Sequence, residues 1–170
     1  AFLLSCSQLS LFRQLGSSVN SNRNGNIYGF NAASELKTYG AFAKGTPNST
    51  LAVLSARKLS DAATSALANS AKRLGFGADI LWVQTIADGG DSLDATDLRK
   101  LLIGCDPVAM VITDTQSARL VEEAFATPCK PDAVNHVFGR TTVAFAGFEA
   151  MLSGADEKQK AWSLLKKLTS

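Results

Sequence analysis

Four short hydrophobic segments, separated by stretches with a helical spacing of apolar residues, form the dominant pattern in this chain. The segments cover residues 51–54, 80–86, 108–113 and 142–145. Strands separated by helices cannot pair through tight hairpins, so neighbouring strands are expected to run parallel, with helices covering both faces of the sheet. The pattern therefore predicts a three-layer α/β/α sandwich with a mainly parallel sheet of about four strands.

Polar residues ahead of the helical stretches predict where the helices begin. Ser60, Asp94 and Asp114 each precede a stretch whose apolar residues recur every three or four positions, which is typical of an N-cap before an amphipathic helix. Gly75 is expected to end the helix after Ser60, because glycine readily adopts the left-handed conformation. Two further helices are predicted over residues 32–43 and 156–168.

A stretch composed almost entirely of Gly, Ser and Asn, residues 16–26, divides the chain into two parts. Ahead of it, residues 2–15 are predicted to form an amphipathic helix. We therefore expect residues 1–26 to form an N-terminal helix on a flexible tether, and residues 27–170 to form a single α/β domain. The apolar face of the N-terminal helix predicts a contact with a protein partner or a second copy.

The bulk composition is that of a globular domain. The chain has 170 residues, of which 46% are hydrophobic and 19% charged, with a net charge of +2. This charge is too small to indicate a nucleic-acid or acidic-membrane partner by itself, and we predict no association with membranes. The three cysteines, Cys6, Cys105 and Cys129, are odd in number and widely spaced, which favours reduced thiols and a cytoplasmic location. Cys105 continues an apolar helical stripe and is expected in the core.

Ligands of open α/β sheets bind beyond the carboxyl ends of the strands, near the point where the strand order reverses. The polar residues at these positions are the candidates for binding a small polar or anionic ligand. The alternative is that they only cap helices and form turns, and this second reading is favoured by their types. The candidates are Ser55, Arg57, Thr113, Asp114 and Thr115.

Other chemistry has weaker signals. The acidic stretch over residues 88–94 could hold a divalent cation, but its spacing differs from that of a calcium loop and favours a solvated turn. His136 is the only histidine, which excludes a site built from several histidines, and no metal site is predicted. A Cys129–His136 pair has no feature that would lower the thiol pKa. Glycine-rich nucleotide-binding motifs and nucleophile elbows are absent from the sequence, so no cofactor and no catalytic residue are predicted.

The last predicted helix carries several lysines. Lys158, Lys160, Lys166 and Lys167 make it basic, which could serve binding of nucleic acid. A solvated helix face explains the same residues, and the two lysines at its end suit the helix dipole. The solvated face is the favoured interpretation.

Residues 106–125, 137–145 and 158–167 resemble segments of small bacterial α/β proteins of uncharacterised role. The order of strands and helices between residues 51 and 168 is also similar to that of the uracil-DNA glycosylase superfamily, whose fold occurs in the non-enzymatic psi subunit of the bacterial clamp loader. That family places an acid or amide after its first strand, where this chain has Ser55, and a His-Pro-Ser motif after a late strand, where His136 is followed by valine. The resemblance therefore implies the fold and a link to DNA metabolism, without base excision.

Three functional expectations follow. The first is a non-enzymatic binding or interaction module, accessory to DNA metabolism. The second is a small enzyme or ligand-binding protein with its site at the carboxyl ends of the strands. The third is a nucleic-acid binder that uses the basic last helix. A deep pocket at the strand ends would favour the second, and a flat apolar surface would favour the first.

Overall fold

The computed structural model of the protein describes the backbone of residues 26–170 and the side chains from Ala32 onward. Six strands and six α-helices occupy this part of the chain. The strands are β1 (Ala43–Lys44), β2 (Leu51–Ser55), β3 (Ile80–Gln84), β4 (Ala109–Ile112), β5 (Ala133–Val137) and β6 (Arg140–Ala144). The helices are α1 (Asn26–Thr38), α2 (Asp61–Arg73), α3 (Ala95–Cys105), α4 (Thr115–Phe125), α5 (Phe148–Met151) and α6 (Ala155–Lys166), followed by a 3₁₀ turn, Lys167–Thr169.

All the described strands join in one sheet with the order β1-β3-β2-β4-β6-β5. The four inner strands, β3, β2, β4 and β6, are parallel and coincide with the four predicted segments. The two edge strands, β1 and β5, run antiparallel to their neighbours. The α/β class is therefore confirmed, whereas about four mainly parallel strands are not, because the sheet has six strands of mixed orientation.

Both edge strands lack the hydrophobic run by which the inner strands were predicted. The helix predicted over residues 32–43 overlaps β1 at Ala43. The observed helix α1 starts earlier, at Asn26, and ends at Thr38. Ala43 and Lys44 form a strand instead, because they pair with β3, with Ala43 opposite Val83. β5 joins β6 through a two-residue turn, Phe138 and Gly139, and both residues have positive φ, as a tight hairpin requires.

Alternation of side chains along the inner strands creates a core on each face of the sheet. On β2, Ala52 and Leu54 contact one core, which also contains residues of α1, α3 and α4. Leu51 and Val53 point to the other core, which is completed by residues of α2, α5 and α6. Every residue of β2 and β4 is buried, which explains why the sequences of these strands are almost continuously hydrophobic.

The predicted helix starts are confirmed by capping hydrogen bonds. The side chain of Ser60 accepts from the Ala63 amide at 3.2 Å, and that of Asp94 accepts from the Asp97 amide at 2.7 Å. Gly75 has a φ of 89° just after α2 and ends that helix as expected. These local signals fix the helix boundaries because each satisfies an otherwise unpaired backbone group.

Two predictions concern the N-terminal part of the chain. The helix over residues 2–15 and nearly all of the linker over residues 16–26 lie outside the described residues. Asn26, the last linker residue, is the first residue of α1. The predicted division between residues 1–26 and residues 27–170 therefore remains a prediction.

A hydrogen bond from Tyr39, the residue after α1, to α3 makes the stability of the fold sensitive to alkaline pH. The Tyr39 hydroxyl donates to Asp97 at 2.9 Å. Burial, this hydrogen bond and nearby carboxylates raise the pKa of Tyr39 to about 12. The folded state thus retains the phenol proton at pH values where the unfolded chain, with a tyrosine pKa of about 10, has lost it. The stabilisation is complete below the unfolded pKa and is lost as pH rises through the folded one.

We expect Tyr39→Phe to flatten this pH dependence. Between pH 9 and roughly 12 the wild-type free energy of unfolding should fall more steeply than that of the variant, because only the wild type has this phenol to ionise. Urea unfolding at several pH values measures both slopes. Parallel curves for wild type and Tyr39→Phe would contradict the assignment.

Candidate functional site

The strand order reverses between β2 and β4, and the ends of these strands are joined to each other by side chains. The Thr113 hydroxyl donates to the Leu54 carbonyl at 2.9 Å. The Asp114 carboxylate accepts from the Ala56 amide at 2.8 Å through one oxygen and from the Ser117 amide at 2.7 Å through the other. The amides that could have bound an anion at this crevice are thus bound by a carboxylate of the protein itself.

The five predicted site residues do not converge on one cavity. Thr113 is 3% exposed and Asp114 half-buried, and both take part in the junction of β2 and β4. Arg57 and Thr115 are exposed and line none of the described cavities. Only Ser55, which is 7% exposed, lines one. Asp114 caps its helix, so the capping role that the sequence favoured is present.

The cavity lined by Ser55 lies one strand away, at the carboxyl ends of β2 and β3, and has a volume of about 280 Å³. Its floor is formed by two pairs of neighbouring residues in register. Val53 lies beside Trp82, and Ser55 beside Gln84. Because paired residues of adjacent strands project to the same face of the sheet, these four side chains form a continuous surface. The opposite wall comes from the first turn of α2 and the segment before it.

Charged side chains surround this floor. Lys44 of β1 lies opposite Trp82, Lys58 and Asp61 flank the start of α2, and Asp88 follows β3. In the part of the chain that the structure describes, none of these four residues forms an ion pair. Opposite charges thus line one cavity without neutralising each other through direct contact.

Two polar groups on the floor retain hydrogen-bonding capacity. The amide nitrogen of Gln84 donates to the Ile86 carbonyl at 2.6 Å and to Asp88 at 3.0 Å, so both of its hydrogens are used and the orientation of the side-chain amide is fixed. Its carbonyl oxygen accepts no hydrogen bond from residues 32–170. The Ser55 hydroxyl also has no partner among those residues, and Ser55 lines the cavity.

Sequence reasoning missed Trp82, Gln84 and Lys44 as site residues. Trp82 stands in an apolar run, which by itself indicates only a buried strand. Lys44 follows the helix predicted over residues 32–43, whose last residues are not helical. Gln84 gave the one usable signal, a single polar residue in an otherwise apolar strand. A polar side chain in a buried strand requires a hydrogen-bonding partner, which here includes Asp88.

The two described cysteines are buried, whereas the histidine is exposed. Burial raises the pKa of the Cys105 thiol to about 11, with a smaller contribution from Glu35, and burial likewise raises the pKa of Cys129 to about 11, helped by Glu122. His136 is exposed on the edge strand β5. The described residues contain no cluster of three or more His, Cys, Asp or Glu side chains able to hold a metal ion.

The lysines of the last helix are exposed. Lys160 pairs with Glu157 at 3.0 Å, and Arg73 of α2 lies over the Trp162 ring, 5.0 Å from its centre. The indole ring at this surface is therefore already covered by a cation of the protein. Lys158, Lys166 and Lys167 are exposed as a solvated face would have them.

No protein-family model and no curated protein matches this chain. The resemblance to the uracil-DNA glycosylase superfamily therefore stays a prediction. Among the helices of the described region, none combines the length and the apolar character needed to cross a membrane.

The burial of the two described cysteines predicts slow thiol chemistry. In a Cys6→Ser variant, which leaves only Cys105 and Cys129, we expect both thiols to react with Ellman's reagent at pH 8 far more slowly in the folded state than in urea. Their raised pKa values leave little thiolate, and burial blocks access of the reagent. Rapid reaction of either thiol in the native protein would refute this reading.

The junction at Asp114 predicts graded losses of stability. Asp114→Ala removes both the helix cap and the bond to the Ala56 amide, and should lower the free energy of unfolding by about 2–4 kcal/mol. Asp114→Ser retains a capping oxygen but is too short to bridge to Ala56, so about half of that loss is expected. Urea unfolding measures both variants, and an Asp114→Ser variant as stable as the wild type would show that the bridge to Ala56 contributes nothing.

Proposed function

We propose that this protein binds a small molecule, without converting it, in the cavity at the carboxyl ends of β2 and β3. The observation that carries the proposal is the Ser55 hydroxyl. It belongs to a residue that is 7% exposed and lines the cavity, and it has no hydrogen-bond partner among the described residues. A hydroxyl group that lines a cavity without a partner in the protein can both donate a hydrogen bond to a ligand and accept one from it.

The position and the size of the cavity support the same proposal. It opens at the carboxyl ends of parallel strands, where α/β proteins bind ligands. Its volume of about 280 Å³ is close to the lower end of the range for ligand pockets, roughly 300–1,000 Å³. A small metabolite fits this volume, whereas the cavity could hold only a single residue of a polymer.

Binding is favoured over catalysis by the groups that accompany Ser55. A serine nucleophile needs a hydrogen-bonded base, and the Ser55 hydroxyl has none within residues 32–170. The histidine lies on the edge strand β5, which is separated from β2 by β4 and β6. Participation in DNA metabolism and contact with a protein partner remain predictions that rest on the resemblance and on residues 2–15.

Occlusion of the cavity from its α2 wall tests the proposal. Thr64 lines the cavity, whereas Ser65, the next residue of α2, is exposed and does not line it. Saturation-transfer NMR of a library of small polar fragments should find compounds that bind the wild type and Ser65→Trp. The same compounds should bind Thr64→Trp at least tenfold more weakly, because the indole ring fills the cavity.

Two results would contradict the proposed function. The first is a library in which no compound binds the wild type. The second is a set of compounds whose binding is the same in Thr64→Trp and Ser65→Trp, since these compounds would bind elsewhere. Circular dichroism and urea unfolding of both variants verify that each retains the fold.

A further inference from the structure

The charges around the cavity are balanced. Two cations, Lys44 and Lys58, and two anions, Asp61 and Asp88, line it. A ligand with a single charge would complement one pair and bring an unfavourable like charge close to the other pair. A ligand that carries one positive and one negative group complements both pairs. The absence of ion pairs among these four residues, within the described chain, leaves each of them available.

The floor divides into an apolar row and a polar row. Trp82 lies between Val53 and Lys44 in the strand register and offers a wide, flat, partly exposed ring. Flat apolar groups pack favourably against such a ring in stacked or edge-to-face arrangements. The apolar row therefore suits a planar, hydrophobic part of a ligand.

The polar row consists of Ser55 and Gln84. The fixed amide of Gln84 leaves a carbonyl oxygen, which can only accept a hydrogen bond, as from an ammonium group. The Ser55 hydroxyl can donate to a carboxylate or accept from an ammonium. An acceptor and a hydroxyl side by side match a ligand whose donor and acceptor groups are close together.

We infer that the ligand of this cavity is a small zwitterion with a flat apolar substituent, chemically an aromatic α-amino acid. Its ammonium group binds near Asp61, Asp88 and the Gln84 carbonyl, and its carboxylate binds near Lys44 and Lys58. The ring packs on Trp82. This inference rests on the proposed function and specifies the ligand class of the same site.

Four probes separate the contributions of the two charges and the ring. L-Phenylalanine carries all three, 2-phenylethylamine lacks the carboxylate, 3-phenylpropionate lacks the ammonium group, and L-alanine lacks the ring. Ligand-observed NMR titrations of the wild-type chain should give a dissociation constant for L-phenylalanine at least tenfold lower than for any of the other three. Thr64→Trp should weaken the binding of L-phenylalanine by a similar factor, whereas Ser65→Trp should leave it unchanged.

Charge-removing variants assign the contacts. In the double variant Lys44→Gln and Lys58→Gln, L-phenylalanine should bind no more tightly than 2-phenylethylamine, because its carboxylate has lost its partners. In the double variant Asp61→Asn and Asp88→Asn, L-phenylalanine should bind no more tightly than 3-phenylpropionate, because its ammonium group has lost its partners. Lys72→Gln combined with Lys100→Gln is the control, since both lysines are exposed and line none of the described cavities.

The outcomes distinguish this inference from the proposed function. If fragments bind in a manner that Thr64→Trp abolishes but L-phenylalanine binds no better than its singly charged analogues, the zwitterionic ligand is wrong and the binding site stands. If neither fragments nor the four probes respond to Thr64→Trp, the site itself is wrong. Retention of the full L-phenylalanine affinity in both double charge variants would also overturn the inference.

Discussion

The carboxylate of Asp114 binds two backbone amides that belong to different parts of the chain. One is that of Ala56, just after β2, and the other is that of Ser117, in the first turn of α4. Hydrogen bonds to a charged acceptor are stronger than neutral ones, and each of these satisfies an amide at the end of a regular element. A single side chain thereby joins the ends of the two central strands, where the strand order reverses.

This junction determines where the sheet is open. In other doubly wound sheets, ligands occupy the crevice at the reversal point. Here Asp114 and Thr113 close that crevice, and the free volume lies at the next pair of strand ends, between β2 and β3. The short edge strand β1 adds Lys44 to that opening, and the start of α2 adds its wall. Ser55 is the residue shared by both places, as it ends β2 and lines the cavity.

Much of the fold could be predicted because the inner strands are buried on both faces and the helices have capping residues. Local sequence encodes both features. The edge strands could not be predicted in the same way, since β1 has only two residues and β5 includes Asn135 and His136, whose polarity suits an edge. Ser55 could be predicted as a strand-end residue. Trp82 could not, because hydrophobic pattern does not reveal which strands are neighbours or where a helix leaves a strand uncovered.

Amide hydrogen exchange at single residues tests the closed junction most directly. In the wild type, the amides of Ala56 and Ser117 should exchange slowly, in contrast to that of the exposed Arg57. In Asp114→Ser, the Ala56 amide should exchange much faster, while that of Ser117 keeps most of its protection through the shorter cap. Exchange of the Ala56 amide in the wild type at the rate of an unstructured peptide would contradict the account, because the reversal point would then be open.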